Sequence, residues 1–408
     1  MSDTTFDEIQ TTLTRQGTAA ATATLGERLR QNEQYHELFD LRLLEARLRF
    51  GLPVILTKGL DDLDEPLRSK MEDQYLAACR EVGSLLLNDG RVREAWMYLR
   101  PVGDKAGVAA ALEKLTVEDD NREQVIEVAL HEGVCPRLGF ELVLKNYGVC
   151  NAISMFDSQM HSRPRHERQE VAALLVARLH DDLTRSLRDE IAKKQGSPPA
   201  EETIEGLVAD REWLFDNNDY HLDTSHLAAV VRFALVLDAE ADLRRAVDLT
   251  EYGRRLGSLY QYPGQEPFVD CYPTHALFFR ALLANAASAR GAKGDDTKGD
   301  ETKNEAVEEA IAYFRGRAEA LADTDQVAVP AEIYVGLLSR LGRHAEAFEA
   351  AATLLAGLRT GGFAPSLFEL AQLAGKYDRL AEVSRERGDL LGFALGLFSS
   401  AATSDRQP

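Results

Sequence analysis

Two short stretches of this 408-residue sequence bring histidines, carboxylates and aromatic residues together, and they are the first places to look for chemistry. The first covers residues 220–226 and the second covers residues 270–275. Imidazole nitrogens and carboxylate oxygens are common ligands of zinc, iron and manganese in proteins. We therefore take as candidate metal ligands His221, Asp223, His226, Asp270 and His275. A divalent transition metal such as zinc is the cofactor that this set would hold.

Each stretch is expected to end in the first turn of a helix. Asp223 or Thr224 is a suitable N-cap for a helix with apolar residues at helical spacing, and Pro273 is expected at the first helical position of the second helix. His226 and His275 would then occupy equivalent first-turn positions, where the helix dipole favours a neutral imidazole. A further helix near residues 241–256 would make these two helices the leading members of successive hairpins. Both histidines are therefore expected on one rim.

Other interpretations of the same residues stay open. Asp223 could act only as a helix cap. Cys271 and His275 could form a nucleophilic pair, although Pro273 lies between them and a buried cysteine is the commoner case. The basic stretch at residues 161–166, at the start of another helix, could bind a phosphate or carboxylate, or could be a solvated turn.

Composition limits the kinds of partner and compartment. Lys and Arg number 47 against 67 Asp and Glu, so the formal charge of −20 disfavours nucleic acid and anionic membranes as partners. No apolar run approaches the roughly 20 residues that span a bilayer, and no secretory signal begins the sequence. The four cysteines include no C-x-x-C pair, which favours the reducing cytoplasm. Low aromatic content and abundant Ala, Leu, Glu and Arg favour helices over strands.

Several predicted helices are joined in pairs by short turns. Residues 88–91 read Asn-Asp-Gly-Arg, and residues 94–99 continue as Glu-Ala-Trp-Met-Tyr-Leu. The clearest case lies within residues 334–348, where a Leu-Gly-Arg turn is followed by Ala-Glu-Ala-Phe. These stretches, strongest over residues 74–100 and 330–357, resemble the tetratricopeptide-like helical repeats. The resemblance implies an all-α fold in which antiparallel helical hairpins stack into a curved, TPR-like α-solenoid.

The chain is expected to divide into four regions. An N-terminal helical-hairpin region covers residues 1–195, and a central helical region with the histidine-bearing helix starts covers residues 201–290. A mobile charged loop is expected at residues 291–304, since Gly, Asp and Lys dominate there. A TPR-like region covers residues 305–408.

The resemblance favours a cytoplasmic helical-repeat protein whose concave surface binds a protein or peptide partner. The alternative is a metal-dependent enzyme or metal-binding protein that uses the rim formed by residues 220–226 and 270–275. In that case a metal-bound water would be the nucleophile. No catalytic residue is assigned from the sequence.

Overall fold

The computed structural model describes residues 3–55, 62–291, 297–322, 324–358 and 361–404. The chain is 75% helical, which confirms the all-α class. Within the described residues, the strands form a single two-stranded hairpin. None of the helices described here combines the length and the apolar character needed to cross a bilayer.

The chain divides into two compact units, residues 1–147 and residues 148–408. The division falls inside a continuous helical segment at Gly148, whose backbone has a φ of 83° and a ψ of 175°. It does not coincide with the boundary expected after residue 195. The long helix that ends there belongs to the second unit and packs on helices of the expected central region.

The described part of unit 1 consists of helices. They are α1 Asp3–Gln16, α2 Thr18–Gln31, α3 Tyr35–Arg49, α4 Leu67–Asn88, α5 Val92–Val102, α6 Lys105–Leu112 and α7 Arg122–Ile126. A π-helical turn, Glu127–His131, extends α7, and α8 Pro136–Gln159 crosses the division between the units. From α1 to α5 each helix packs against the next, α4 against α5 most extensively.

The longest described helix of unit 2 packs against its central helices. The elements of this unit are α9 Arg165–Gln195, α10 Ile204–Val208, α11 Thr224–Phe233, α12 Glu240–Arg255, β1 Pro263–Gln265, β2 Phe268–Asp270, α13 Cys271–Gly291, α14 Thr297–Ala320, α15 Ala328–Arg340, α16 His344–Leu354, α17 Leu367–Ala374, α18 Tyr377–Glu386 and α19 Leu390–Ser404. Short 3₁₀ turns, Glu212–Asn218, Ala234–Val236 and Ser258–Tyr260, connect some of them. The expected loop at residues 291–304 lies partly outside the described residues, at 292–296, and residues 297–304 belong to α14.

The same tight turn joins several adjacent helices, including both turns that carried the repeat resemblance. At Gly90 and Gly342 the backbone adopts the left-handed conformation, with φ of 75° and 77°. In each case the residue after the glycine donates its N–H to the carbonyl five residues earlier, Arg91 to Leu86 and Arg343 to Leu338, both at 2.9 Å. This bond is the signature of a Schellman helix end, and the next helix begins one residue later. The structure therefore contains stacked pairs of adjacent helices.

A β-hairpin leads into the second histidine-bearing helix. Strands β1 and β2 pair in antiparallel fashion, with Pro263 opposite Asp270 and Gln265 opposite Phe268. The sequence predicted no strand here, because each strand is only three residues long and the segment is rich in proline. Phe268 is the buried residue of β2 and packs against His275 and Phe314.

Candidate functional site

The first predicted stretch forms a helix cap. The Asp223 carboxylate accepts hydrogen bonds from the backbone N–H groups of Ser225, at 2.9 Å, and His226, at 3.1 Å. The Ser225 hydroxyl also donates to this carboxylate, at 2.5 Å. That bond, with the two from the backbone, lowers the pKa of Asp223. The prediction that Asp223 caps the helix and that His226 lies in its first turn is confirmed. His226 itself is half-buried.

His221 lies before this helix and is held by a buried polar network. The Tyr252 hydroxyl accepts the His221 backbone N–H at 2.8 Å and lies 3.0 Å from His221 Nδ1. The hydroxyl has one proton and two lone pairs, so it can accept the backbone N–H and also share a hydrogen bond with Nδ1. Nε2 lies 3.1 Å from a Glu190 carboxylate oxygen, without hydrogen-bond geometry. Burial lowers the pKa of His221, against the opposing effect of Glu190.

His275 is buried as the fifth residue of α13, just past the first turn in which it was expected, and only 4% of its surface is exposed. Its Nδ1 lies 2.6 Å from the carbonyl oxygen of Cys271. A carbonyl can only accept, so Nδ1 carries the proton and Nε2 presents a lone pair. Nε2 is buried and has no hydrogen-bond partner within the described structure. The ring stacks on Phe268 with a centroid distance of 4.0 Å, and burial lowers its pKa to about 4.

The helix of His275 begins at Cys271, so Pro273 is its third residue and not the first as expected. Burial raises the pKa of the Cys271 thiol to about 11, which works against a thiolate nucleophile there at neutral pH. Asp270 is exposed, and its backbone carbonyl accepts the Thr274 hydroxyl at 2.7 Å.

Three of the five candidate ligands are engaged with separate partners. Asp223 caps α11, His221 joins Tyr252 and Glu190, and His275 bonds a backbone carbonyl. Over the part of the chain that the structure describes, no three His, Cys, Asp or Glu side chains are grouped as a metal site.

A cavity of about 470 Å³ lies inside unit 2, beside His275. Its volume falls within the range typical of small-molecule sites. Most of its walls are apolar or aromatic, and its lining residues are Phe156, Met160, His161, Arg168, Ala228, Arg232, Phe233, Leu235, Val236, Tyr262, Pro263, Gly264, Gln265, Glu266, Phe268, Cys271, His275, Val329, Glu332, Ile333, Gly361 and Phe363. His275 lines this cavity, whereas His226 does not.

Arg168 is the most buried cation in the cavity wall, with 8% of its surface exposed. One terminal guanidinium nitrogen donates to the Gly362 carbonyl at 2.8 Å, and Nε is buried without a hydrogen-bond partner in the described structure. No carboxylate of the described residues lies within ion-pair distance of this guanidinium. Burial lowers its pKa, the charge of Arg165 adds to that effect, and the charge of Glu332 opposes it.

Glu332 is also buried, but its charge is already engaged. One carboxylate oxygen accepts the backbone N–H of Gly361 at 2.8 Å, and the other accepts those of Phe363 at 2.5 Å and Ala364 at 3.3 Å. Hydrogen bonds of this kind stabilise an ionised carboxylate. Glu332 therefore fixes the 361–364 segment that forms one wall of the cavity.

The other cavity lining residues with formal charge have ion-pair partners. Arg232 pairs with Asp157 at 3.1 Å, and Glu266 pairs with Arg317. The two arginines of the cavity lining therefore differ: within the described structure Arg232 has an ion-pair partner and Arg168 has none.

Sequence reasoning missed Arg168 and Glu332, although the signal for Arg168 was present. Arg168 precedes Val171, Ala172 and Leu175 at the i, i+3, i+4 and i+7 spacing of a buried helix face. A charged residue at such a position is unusual and points to a specific role. The basic stretch at residues 161–166 contributes His161 to the cavity lining.

A second feature of unit 2 is the outward face of α19, which we call the α19 face: Leu390, Leu391, Leu395, Leu397 and Phe398. All five side chains are exposed, Leu391 by 69% and Phe398 by 71%. They occupy one side of the helix, because residues 391, 395 and 398 follow the i, i+4, i+7 spacing and residues 390 and 397 are seven apart. From Leu390 to Ser404 the helix contains no charged residue.

Glycines on the opposite side of α19 explain how this helix packs inward. A Cβ atom at Gly396 would lie 2.7 Å from the backbone nitrogen of Ala381 and from the carbonyl oxygen of Tyr377. Only glycine allows α19 to approach α18 this closely. The close contact with α18 is therefore made at glycine, and the five large side chains of the α19 face lie on the other side of the helix.

Comparisons of the chain with protein-family models, with curated proteins and with solved structures found no match.

Proposed function

We propose that this chain is a TPR-like helical-repeat protein of the cytoplasm, whose stacked hairpins form an α-solenoid and bind a protein or peptide partner. The recurring Schellman turns between adjacent helices support the repeat architecture. The observation that carries the binding function is the α19 face, five exposed leucine and phenylalanine side chains on an uncharged helix. Contiguous apolar surface of this kind is typical of protein interaction sites.

The partner that fits this face is an amphipathic helix. Side chains at i, i+4 and i+7 on α19 form a ridge that an apolar stripe on a second helix can pack against. The absence of charge on α19 means that specificity would come from shape and apolar contact. The remainder of this acidic protein would contribute by repelling acidic partners.

A double substitution on the α19 face tests the proposal. Leu391→Glu with Phe398→Glu places two carboxylates in the centre of the apolar stripe. The matched control is Leu259→Glu, which changes a leucine of the same unit that is 78% exposed but lies in a 3₁₀ turn. Proteins captured from extracts of the source cells by wild type and by both variants would be quantified by mass spectrometry, and candidates would be tested with purified components by calorimetry.

We expect a partner that binds the wild type and the Leu259→Glu control and binds the double variant at least tenfold more weakly. Light scattering after size-exclusion chromatography would separately measure self-association. If the double variant only dissolves a dimer of this chain, the partner is a second copy. If the double variant and the wild type bind purified candidates equally, the α19 face is not the binding surface.

A further inference from the structure

The cavity beside His275 carries an inference that is independent of the α19 face. Its walls include a buried arginine without an ion pair, a buried imidazole nitrogen with a lone pair, and several aromatic rings. Each of these features favours a different part of a ligand.

The arginine favours an anion. Burying a guanidinium without a counter-ion is unfavourable, and Arg168 has only the Gly362 carbonyl as a hydrogen-bond acceptor within the described structure. The opposing charge that acts on Arg168 is that of Glu332, whose two oxygens are already occupied by three backbone N–H groups. A guanidinium with unused donors matches the two oxygens of a carboxylate, because its donors form a planar fork.

The imidazole favours a hydrogen-bond donor. His275 Nδ1 is committed to the Cys271 carbonyl, so the buried Nε2 is an acceptor. Stacking on Phe268 holds the ring in place. An N–H or O–H group of a ligand could satisfy this nitrogen.

The remaining walls favour a flat apolar body. Phe156 and Phe233 stack on each other at 4.1 Å between ring centroids, and Phe268 and Phe363 contribute further aromatic surface. Aromatic walls bind aromatic ligands well because offset-stacked and edge-to-face contacts add to the burial of apolar area. The cavity is large enough for one or two rings.

We propose that the cavity of unit 2 is a binding site for a small aromatic carboxylic acid that also carries a hydrogen-bond donor, with the carboxylate on Arg168 and the donor on His275 Nε2. The aromatic body lies among Phe156, Phe233 and Phe268.

Indole-3-acetate is a suitable probe, because it combines a carboxylate, an aromatic body and an N–H donor. Indole-3-acetamide removes the charge at nearly constant shape, and 1-methylindole-3-acetate removes the donor. Binding of each probe to the full chain would be measured by isothermal titration calorimetry and by saturation-transfer NMR. We expect the acid to bind about tenfold more tightly than the amide and several-fold more tightly than the N-methyl compound, as for a lost charge-assisted and a lost neutral hydrogen bond.

Variants of Arg168 test the assignment of the carboxylate. Arg168→Met keeps most of the side-chain length and removes the charge, so this variant should bind the acid and the amide about equally. Arg168→Lys keeps the charge without the planar fork and should restore part of the preference. The matched control is Arg178→Met on the same helix, where the native arginine forms a surface ion pair with Asp182 at 2.6 Å. Circular dichroism and thermal unfolding would check that each variant is folded.

Three results would overturn the proposal: no binding of the acid at millimolar concentration, equal binding of acid and amide by the wild type, or an unchanged preference in a folded Arg168→Met variant. The Leu391→Glu, Phe398→Glu double variant should bind the acid as the wild type does. Loss of protein binding in that variant with retained acid binding would separate this site from the α19 face.

Discussion

His221 and His275 are both buried histidines of unit 2, and both were candidate metal ligands, yet their surroundings differ. His221 has Tyr252 on one ring nitrogen and the Glu190 carboxylate near the other. His275 has a backbone carbonyl on one nitrogen and no partner among the described residues on the other. The first arrangement joins α9, α12 and the segment before α11, and it is suited to stability. The second lies in the wall of a cavity, and it is suited to binding.

The same difference separates the two buried charges at the cavity. The Glu332 carboxylate receives three hydrogen bonds, whereas the Arg168 guanidinium donates one. Buried polar groups with complete sets of partners fix a structure, and those with incomplete sets identify the positions where a ligand can contribute. Substitution of Glu332 should therefore lower stability more than ligand binding, and substitution of Arg168 should lower ligand binding more than stability.

The largest effect on stability is expected for Glu332→Ala. The substitution leaves three backbone N–H groups of the 361–364 segment without their acceptor and removes a negative charge that acts on Arg168. Hydrogen bonds to a charged group contribute about 1.5–3 kcal/mol each, so the loss of three of them should cost about 3–5 kcal/mol. Urea unfolding would measure the loss. Glu346→Ala, whose native carboxylate is half exposed and lies 3.7 Å from Arg343, is the control and should change stability by less than about 0.5 kcal/mol.

A Glu332→Ala loss below about 1 kcal/mol would contradict the structural role given to this residue. The free energy of unfolding of Glu332→Gln should lie between those of wild type and Glu332→Ala. The amide keeps one acceptor oxygen, but it places a donor against the N–H groups on the other side.

The next effect is a pH dependence caused by His275. Its pKa is about 4 in the folded protein and near its ordinary value of 6.5 when unfolded, so below pH 6.5 the unfolded chain binds a proton that the folded chain does not. His275 therefore has no effect on the free energy of unfolding above pH 6.5. It lowers that free energy as the pH decreases from 6.5 to 4, and it adds no further loss below pH 4. The expected loss from this residue is about 3 kcal/mol, from 1.36 kcal/mol per pKa unit.

Urea unfolding of wild type and His275→Phe at several pH values would isolate this contribution. Carboxylates and His221 titrate in both proteins and cancel in the difference, while phenylalanine preserves the stack on Phe268. We expect the wild type to lose more stability than the variant between pH 6.5 and pH 4. Parallel curves would mean that His275 protonates without penalty in the folded state, and that it is less buried than its contacts indicate.

Much of the fold followed from the sequence, because it depends on local patterns. The turns at Gly90 and Gly342, the Asp223 cap and the helix over residues 165–195 each rest on residues close together in the chain. The division at Gly148 was not predicted, because it is decided by which helices pack together.

The candidate site was harder to predict for the same reason. Arg168 and Glu332 come from distant helices and meet at the 361–364 segment, and nothing local in the sequence specifies that contact. The histidines were found because histidine is rare and chemically versatile. Their roles depend on partners such as Tyr252, 31 positions away from His221.

The smallest of these effects, and the most direct test of the histidine comparison, is expected for Tyr252→Phe. Removing one oxygen leaves the His221 backbone N–H and Nδ1 without their partner at a fully buried position, which costs about 1–3 kcal/mol. Unit 1 offers a matched control in Tyr98→Phe, because the Tyr98 hydroxyl also contacts a histidine nitrogen, His36 Nδ1 at 2.7 Å, but in an exposed pair. Water can replace that hydroxyl, so the control should lose less than about 0.5 kcal/mol.

Each tyrosine variant should be compared with wild type under the same conditions, since the two substitutions lie in different compact units. Tyr252→Phe should leave the binding of indole-3-acetate unchanged, because neither Tyr252 nor His221 lines the cavity. Equal losses of stability in the two tyrosine variants would show that burial does not distinguish the two pairs. Weakened acid binding in Tyr252→Phe would show that the His221 network and the cavity are coupled, and the separation of structural from ligand-binding histidines would then fail.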